Sequence, residues 1–256
     1  MVFAQEEEDL ARATQNPVSS LISVPFENNF NLGLGPEDRT QYILNVQPVI
    51  PVNLGAIGLE DWNLINRTII PMVYQPDATA SSGGDFGLGD INHSMFLSPA
   101  KAGRLIWGAG PIVSLPTSVN DRLGPSKLSF GPSAVVFAMP GDFTTGLLVS
   151  NLWSVAGDSD TPNVNFFTIQ PILNYNLPDG WYLSSVPVMT ADWHGDSGDK
   201  WTVPVGGGFG KILRIGAQPL NVRAQGFSYA TTPGDGPDWS IQFRVQFLFP
   251  KGGGSG

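Results

Sequence analysis

The last strand-length stretch of the chain leaves few folds open to it. Trp239, Ile241, Phe243, Val245, Phe247 and Phe249 alternate with Ser240, Gln242, Arg244, Gln246 and Leu248. A period of two puts the aromatic set on one face of a β-strand and the mostly polar set on the other. The same alternation recurs where Phe167, Ile169, Pro171, Leu173 and Tyr175 interleave with Thr168, Gln170, Ile172, Asn174 and Asn176. It recurs again where Tyr42, Leu44, Val46, Pro48, Ile50 and Val52 interleave with Gln41, Asn45, Gln47 and Asn53. A strand that is greasy on one side and polar on the other suits a sheet whose outer face meets lipid and whose inner face meets water.

Twelve such segments are predicted, centred near residues 25, 46, 68, 92, 109, 133, 149, 170, 187, 206, 224 and 244. Their spacing of about 20 residues is too long for a sandwich that turns every 8–12 residues. No apolar run reaches the roughly 20 residues of a transmembrane helix, so any membrane crossing is made by strands. With 31 Gly, 22 Pro and only 14% charged residues, the chain is no helical bundle. An aromatic content of 11% argues against disorder.

The connections add a direction. Those after odd-numbered segments are longer, glycine-rich and acidic, as in Gln75 to Asp85, Thr117 to Ser126, Gly157 to Asn163, His194 to Lys200 and Thr231 to Asp238. Those after even-numbered segments are mostly tight, as in Pro140-Gly141-Asp142 and Pro178-Asp179-Gly180. Long loops on one side and short turns on the other, with an even strand number, is the layout of an outer-membrane barrel with both termini in the periplasm. The expectation is one closed antiparallel transmembrane β-barrel of about twelve strands. Prolines oppose it. Pro25, Pro48, Pro71, Pro111, Pro132, Pro171, Pro187 and Pro204 fall inside segments, and proline cannot donate to a ladder. The pairs Gln47-Pro48, Gly110-Pro111, Gly131-Pro132 and Gln170-Pro171 read as a repeated local device.

The run Gly87-Leu88-Gly89-Asp90-Ile91, with the run from Gln170 to Trp181, resembles a family of bacterial outer-membrane barrels labelled meta-pathway phenol degradation, whose members are described as transporters. The resemblance spans about Asn16 to Lys251 and rests on short, glycine-rich motifs. It implies a porin-like channel in a Gram-negative outer membrane that passes small, hydrophobic or aromatic molecules. It offers no catalytic residues. The chain's end carries a separate signal. Gln242, Phe247 and Phe249 follow the polar-then-aromatic spacing that the barrel assembly machinery reads, although Arg244 stands where glycine is common and Pro250-Lys251 trail the last aromatic.

If the aromatic faces meet lipid, the other faces line the interior. The expected lining is Glu27, Gln47, Asp90, Arg104, Gln170, Asn174, Asp192, Arg223, Gln242 and Arg244, with Arg67 joining them on a poorly alternating segment. Opposed charges there either set ion selectivity or neutralise one another in a closed lumen. Trp62, Trp107, Trp153, Trp181, Trp193, Trp201 and Trp239 lie near segment ends, as an interfacial girdle requires. His93 shares parity with Ile91 and Met95, pointing toward lipid near an interface or a bulge.

Other constellations read more plainly. Asp192 and His194 share a strand face and could activate Ser184 or Thr190, but no nucleophile motif accompanies them and a polar loop flank is the simpler reading. The acidic loops Gly157-Asp158-Ser159-Asp160 and Gly195-Asp196-Ser197-Gly198-Asp199 lack the spacing of a calcium loop. Gly206-Gly207-Gly208 with Gly210 lacks the Gly-Lys-Ser/Thr of a phosphate loop and reads as tight curvature or close approach of a plug. A chain without Cys and with two His offers little to a metal, and no metal or cofactor is expected. The net charge of −9 speaks against nucleic acid as a partner; outer-membrane lipid and a small-molecule cargo are expected instead.

The domain reading is residues 1–16 as an N-terminal segment, 17–251 as the barrel, and 252–256 as a linker. Val2-Phe3-Ala4 before Gln5 fits the tail of a signal cleavage site, and Gln5 to Asn16, with Glu6, Glu7, Glu8 and Asp9 in the first turn, fits a short helix. That helix either hangs in the periplasm or folds into the lumen as a partial plug. The function expected is passage of small solutes without chemistry. An outer-membrane hydrolase using His194 and Asp192, a soluble all-β ligand-binding protein and a non-conducting structural barrel remain as alternatives.

Overall fold

The computed structural model describes residues 10–101, 103–157, 159–196 and 198–250. The signal-cleavage remnant, the acidic first turn of the helix, Asp158, Ser197, Lys251 and the linker all lie outside the described residues. The chain forms twelve antiparallel strands: β1 (Ile22–Leu34), β2 (Arg39–Val46 and Val49–Leu54), β3 (Leu59–Pro76), β4 (Gly84–Leu88 and Ile91–Pro99), β5 (Ile106–Leu115), β6 (Leu128–Ala138), β7 (Phe143–Ala156), β8 (Asn165–Asn176), β9 (Trp181–Ser185 and Met189–Asp192), β10 (Trp201–Ile215), β11 (Gln218–Thr231) and β12 (Trp239–Phe249). Each covers one predicted segment. Every strand pairs with its sequence neighbour, and β12 pairs with β1 from Ile22↔Phe249 to Leu32↔Trp239, which closes the sheet on itself. Closure leaves no unpaired edge, the condition for crossing lipid with strands.

Burial follows the alternation. In β12, Ser240, Gln242, Gln246 and Leu248 are buried while Trp239, Phe243, Val245, Phe247 and Phe249 are exposed. Phe130, Leu173, Leu183, Val205 and Phe209 also face outward on other strands. Such an apolar belt far exceeds what a water-soluble monomer shows.

The prolines mark rungs where a neighbouring ladder lapses. At Gln47-Pro48, β2 is interrupted and its pairing with β1 skips from Phe26↔Val46 to Ser23↔Val49, although the Gln47 N–H still donates to the Pro25 carbonyl at 2.9 Å. At Gly110-Pro111, the β4–β5 ladder skips from Ser94↔Ile112 to Leu97↔Ala109. At Gly131-Pro132, the β6–β7 ladder skips from Phe130↔Trp153 to Ser133↔Ser150. Opposite Gln170-Pro171, the β8–β9 ladder lapses around Pro187, between Leu173↔Ser185 and Ile169↔Met189. Pro204 sits at a register shift between β10 and β11. At Gly110-Pro111, Gly131-Pro132 and Gln170-Pro171 the other neighbour's ladder runs on unbroken; at Gln47-Pro48 the pairing with β3 also skips, from Val46↔Ile70 to Val49↔Arg67, but resumes in the same register, and closure survives.

Short turns join β2 to β3, β4 to β5, β6 to β7, β8 to β9 and β10 to β11. The opposite rim carries the longer loops, apart from the tight Gly35–Asp38 connection after β1. The β10 glycines report close approach. A Cβ on Gly206 or Gly208 would lie 2.0 or 1.9 Å from the β11 carbonyls of Gly226 and Ala224. One on Gly210 would lie 2.2 Å from the ring of Tyr182, which is fully buried on the inner wall. Replacing Gly210 by Ala is therefore expected to destabilise the barrel by about 1–3 kcal/mol, measured as a lower urea midpoint by tryptophan fluorescence in lipid vesicles, with Gly226→Ala, whose Cβ meets nothing within 4 Å, as the unaffected control.

Candidate functional site

The inner face divides into two unlike walls. On one, β12, β1 and β11 bring three charged side chains together. Glu27 stands in register opposite Arg244, and Arg244 opposite Arg223. Like charges side by side repel, and Glu27 answers both: Arg244 Nε donates to its Oε2 at 2.8 Å and Arg223 Nη2 lies 3.5 Å from the same atom. Gln47, at the break in β2, donates from Nε2 to Glu27 Oε1 at 3.3 Å and accepts from Arg67 Nη2 at 2.9 Å. Arg223 Nη2 also donates to Gln242 Oε1 at 2.9 Å, and Gln242 Nε2 donates to Asn29 Oδ1 at 2.9 Å. Neighbouring polar groups extend the wall: Tyr182 Oη donates to Asn221 Oδ1 at 2.7 Å, and Asn221 Nδ2 donates to Gln246 Oε1 at 3.2 Å.

The facing wall carries an apolar patch among small buried polar residues such as Ser94, Ser98 and Ser133. Ile65 of β3, Phe96 of β4, Val135 and Phe137 of β6 and Leu148 of β7 form one buried cluster. Inner-face residues of alternating strands normally read as polar, so an apolar inner patch has the same sequence signature as a lipid-facing one.

The N-terminal segment lies between the walls. Residues 10–15 are helical. Arg12 Nη2 donates to the Gly141 carbonyl at 2.6 Å and pairs with Asp142 at 3.6 Å, in the short β6–β7 turn. Gln15 Nε2 donates to Asn176 Oδ1 at 2.7 Å, and Asn221 Nδ2 donates to Thr14 Oγ1 at 3.2 Å. Leu10, Ala11 and Leu21 bury against Ile212 and Leu248, while Val18 completes the apolar cluster on the other side. A cavity of about 100 Å³ remains, bounded by this segment, by Arg67, Arg223 and Arg244, and by Gln170 and Asn174.

The long-loop mouth is narrowed by the 116–127 loop. Asp90, at the break in β4, accepts from the backbone N–H groups of Thr117 (3.1 Å), Ser118 (2.9 Å) and Ser126 (3.0 Å). Thr117 Oγ1 donates to the Gly89 carbonyl and accepts from the Ile91 N–H, both at 2.9 Å. The glycines of the Gly87–Ile91 motif make room for this: a Cβ on Gly87 would meet Val119 at 2.4 Å, and one on Gly89 would meet the Leu123 carbonyl at 2.9 Å. Arg122 holds the loop's far side, donating to the Pro76 carbonyl at 3.0 Å and pairing with Asp85 at 3.0 Å. In the adjoining β3–β4 loop, hydrogen bonds from the Thr79 backbone and hydroxyl hold the Asp77 carboxyl below its ordinary range.

Of the expected lining, Gln47, Gln170, Asn174, Arg223 and Arg244 border the cavity together with Arg67, and Glu27 and Gln242 join them through hydrogen bonds to Gln47 and Arg223. Asp90 is inside but serves the loop. Asp192 sits exposed at the long-loop rim, where its Oδ1 accepts the His194 backbone N–H at 2.9 Å. Arg104 differs from expectation: it lies exposed in the turn between β4 and β5, because β5 starts only at Ile106. Among the described residues, no hydrogen bond joins the His194 ring to a carboxylate or hydroxyl, and no cluster of three His, Cys, Asp or Glu could hold a metal. His93 faces outward and its Nδ1 meets Thr68 Oγ1 at 3.0 Å. Outside, Trp62, Trp107 and Trp181 lie toward the short-turn rim. Trp153, Trp193, Trp201 and Trp239 lie toward the long-loop rim. The Trp62–Trp107 rings lie 6.0 Å apart and those of Trp193 and Trp201 5.9 Å apart.

A closed twelve-stranded barrel with an apolar belt between two aromatic zones is a transmembrane β-barrel of the bacterial outer-membrane class. No protein-family model matches the sequence, and no curated protein matches it significantly. Among solved structures, the COG4313 outer membrane channel from Pseudomonas putida F1 is similar, with a TM-score of 0.64 at 15% identity over 90% of this chain and 94% of that one. The NanC porin is also similar, with a TM-score of 0.55 at 9% identity over 89% and 100%. The outer membrane phospholipase A from Escherichia coli follows at 0.48 and 11% identity over 94% and 97%, too remote to carry an argument. These likenesses establish the fold; the phenol-degradation label rests on the sequence resemblance alone.

Removing the Asp90 carboxylate leaves three loop N–H groups without their acceptor, each bond to a charged group contributing about 1.5–3 kcal/mol. In Asp90→Ala, trypsin is expected to cut the folded barrel after Arg122 at least about tenfold faster than in the parent, read by mass spectrometry of timed digests.

Proposed function

We propose that this protein is a passive outer-membrane channel for small solutes, in which the N-terminal segment acts as a partial plug. The observation that carries the reading is the cavity bounded by that segment on one side and by the polar wall on the other. A purely structural barrel has no need of an inner face that keeps a charged cluster beside open space. The lining residues Glu27, Gln47, Gln170, Asn174, Arg223, Gln242 and Arg244 then set which solutes pass, and Asp90 sets the width of the mouth through its loop. The seven tryptophans seat the barrel at the two lipid interfaces, and the β12 aromatics present the end that the assembly machinery reads. The polar and apolar walls together suit a cargo with both characters, which accommodates the small aromatic molecules that the sequence resemblance implies. No chemistry is assigned, and the rim position of Asp192 and His194 supports passage rather than hydrolysis.

Reconstituted in planar bilayers, the full chain is expected to give small, discrete current steps in symmetric salt. Deleting residues 1–16 is expected to raise the step size by at least about twofold, since a twelve-stranded lumen is narrow once side chains and a helix occupy it. A folded, heat-modifiable barrel that passes no current in either form would overturn the channel reading.

A further inference from the structure

Mid-barrel charge does not balance. Among the described residues, three guanidinium groups, Arg67, Arg223 and Arg244, gather around one carboxylate, Glu27, which pairs with Arg223 and Arg244 directly, leaving an excess of two positive charges. The Arg223 and Glu27 side chains are each only 7% exposed. Buried charge without a partner is strongly unfavourable, and this surplus sits in a chain whose net charge is −9. Two residues that line the cavity also carry an unsatisfied polar atom. Arg223 Nε is buried and has no hydrogen-bond partner among the described residues, and the Asn174 side-chain oxygen, across the same cavity, has none either. Arg67 is tied through the Gln47 amide, not through a carboxylate.

We infer that this cavity is a binding subsite for a small monocarboxylate, its anionic head held by Arg67 and Arg223 and its apolar body turned toward Leu148 and Ile172. Guanidinium groups are the favoured partners of carboxylates, through paired N–H donors. Asn174 can serve the same head, since its amide presents nitrogen or oxygen by rotation. Leu148 belongs to the apolar wall, and both it and Ile172 line the cavity. The size argues for a few heavy atoms and not an oligosaccharide. The mouth argues against polyanions. The long loops carry Asp77, Asp121, Asp160, Asp196, Asp199, Asp235 and Asp238, and repulsion there grows with the charge of the ligand.

The subsite rests on the channel reading for its purpose, but its existence is tested separately. Sodium butyrate is titrated by calorimetry into the folded, detergent-solubilised full chain, with 1-butanol as the neutral counterpart. The expected result is saturable butyrate binding that weakens with added salt, and butanol at least about tenfold weaker. Arg67→Gln is expected to weaken butyrate at least about tenfold, with Arg67→Lys in between. Because Arg223 is buried and paired, Arg223→Gln is compared only if its urea midpoint matches the parent; Arg67→Gln and the butanol control decide otherwise. Equal binding of butyrate and butanol, or butyrate binding unchanged in Arg67→Gln, overturns the subsite. Butyrate binding without any bilayer current supports the subsite while removing the channel. Current with a preference for potassium over chloride and no butyrate binding leaves the channel and removes the subsite.

Discussion

Everything in this molecule depends on the ladder between its first and last strands. In hydrocarbon an unpaired peptide group has no water to turn to, so a sheet of this kind must close or not form. The eleven register partners from Ile22↔Phe249 to Leu32↔Trp239 achieve this. The same ladder positions Glu27 beside Arg244, and the next one positions Arg244 beside Arg223. A single slip in register would turn Glu27 to lipid and strand the two arginines together. The interior charge cluster and the closure of the wall are thus one specification, satisfied or lost together.

Much of the fold is legible in the sequence because a period of two is hard to imitate. Eleven of the twelve predicted segment centres fall within a strand and the twelfth, near 187, falls in the break of β9; the tryptophans lie near strand ends, and burial in β12 follows its alternation. What stays hidden has physical reasons. Arg67 lies on a strand whose pattern is blurred, since β3 pairs with β2 and β4 across the breaks in both. The inner apolar wall is invisible because Ile65, Phe96 and Val135 look like lipid-facing residues until register is known. Arg104 falls in a turn and not on the lining because strand limits at a turn are soft by a few residues. The prolines pointed to a device without revealing it, as a lapsed ladder is a relation between two strands and one sequence position shows only half of it.

The glycine motif shows how a signal can be present and its meaning absent. Gly87, Gly89 and Asp90 carry the family resemblance, yet nothing in their spacing says that they receive a loop. Two missing side chains clear a berth on the inner wall, and one carboxylate gathers three backbone donors. The loop's own residues, Val119 and Leu123, give no sign of where they dock. Sequence pattern reports local periodicity; it does not report a contact between residues about thirty positions apart whose only local trace is a lack of bulk.

The seating of Leu10, Ala11 and Leu21 against Leu248 and Ile212 has a consequence for how the molecule holds together. Leu248 belongs to the strand that completes the wall, and the residues that cover it precede the strand that begins the wall. Head and tail of the chain therefore meet inside the lumen as well as across the seam. Seating the leading segment and closing the wall therefore stabilise each other, because a barrel with that segment left outside keeps Leu248 and Ile212 facing water. The two ends of the barrel sequence are thus coupled twice, once through the backbone ladder and once through a shared apolar contact.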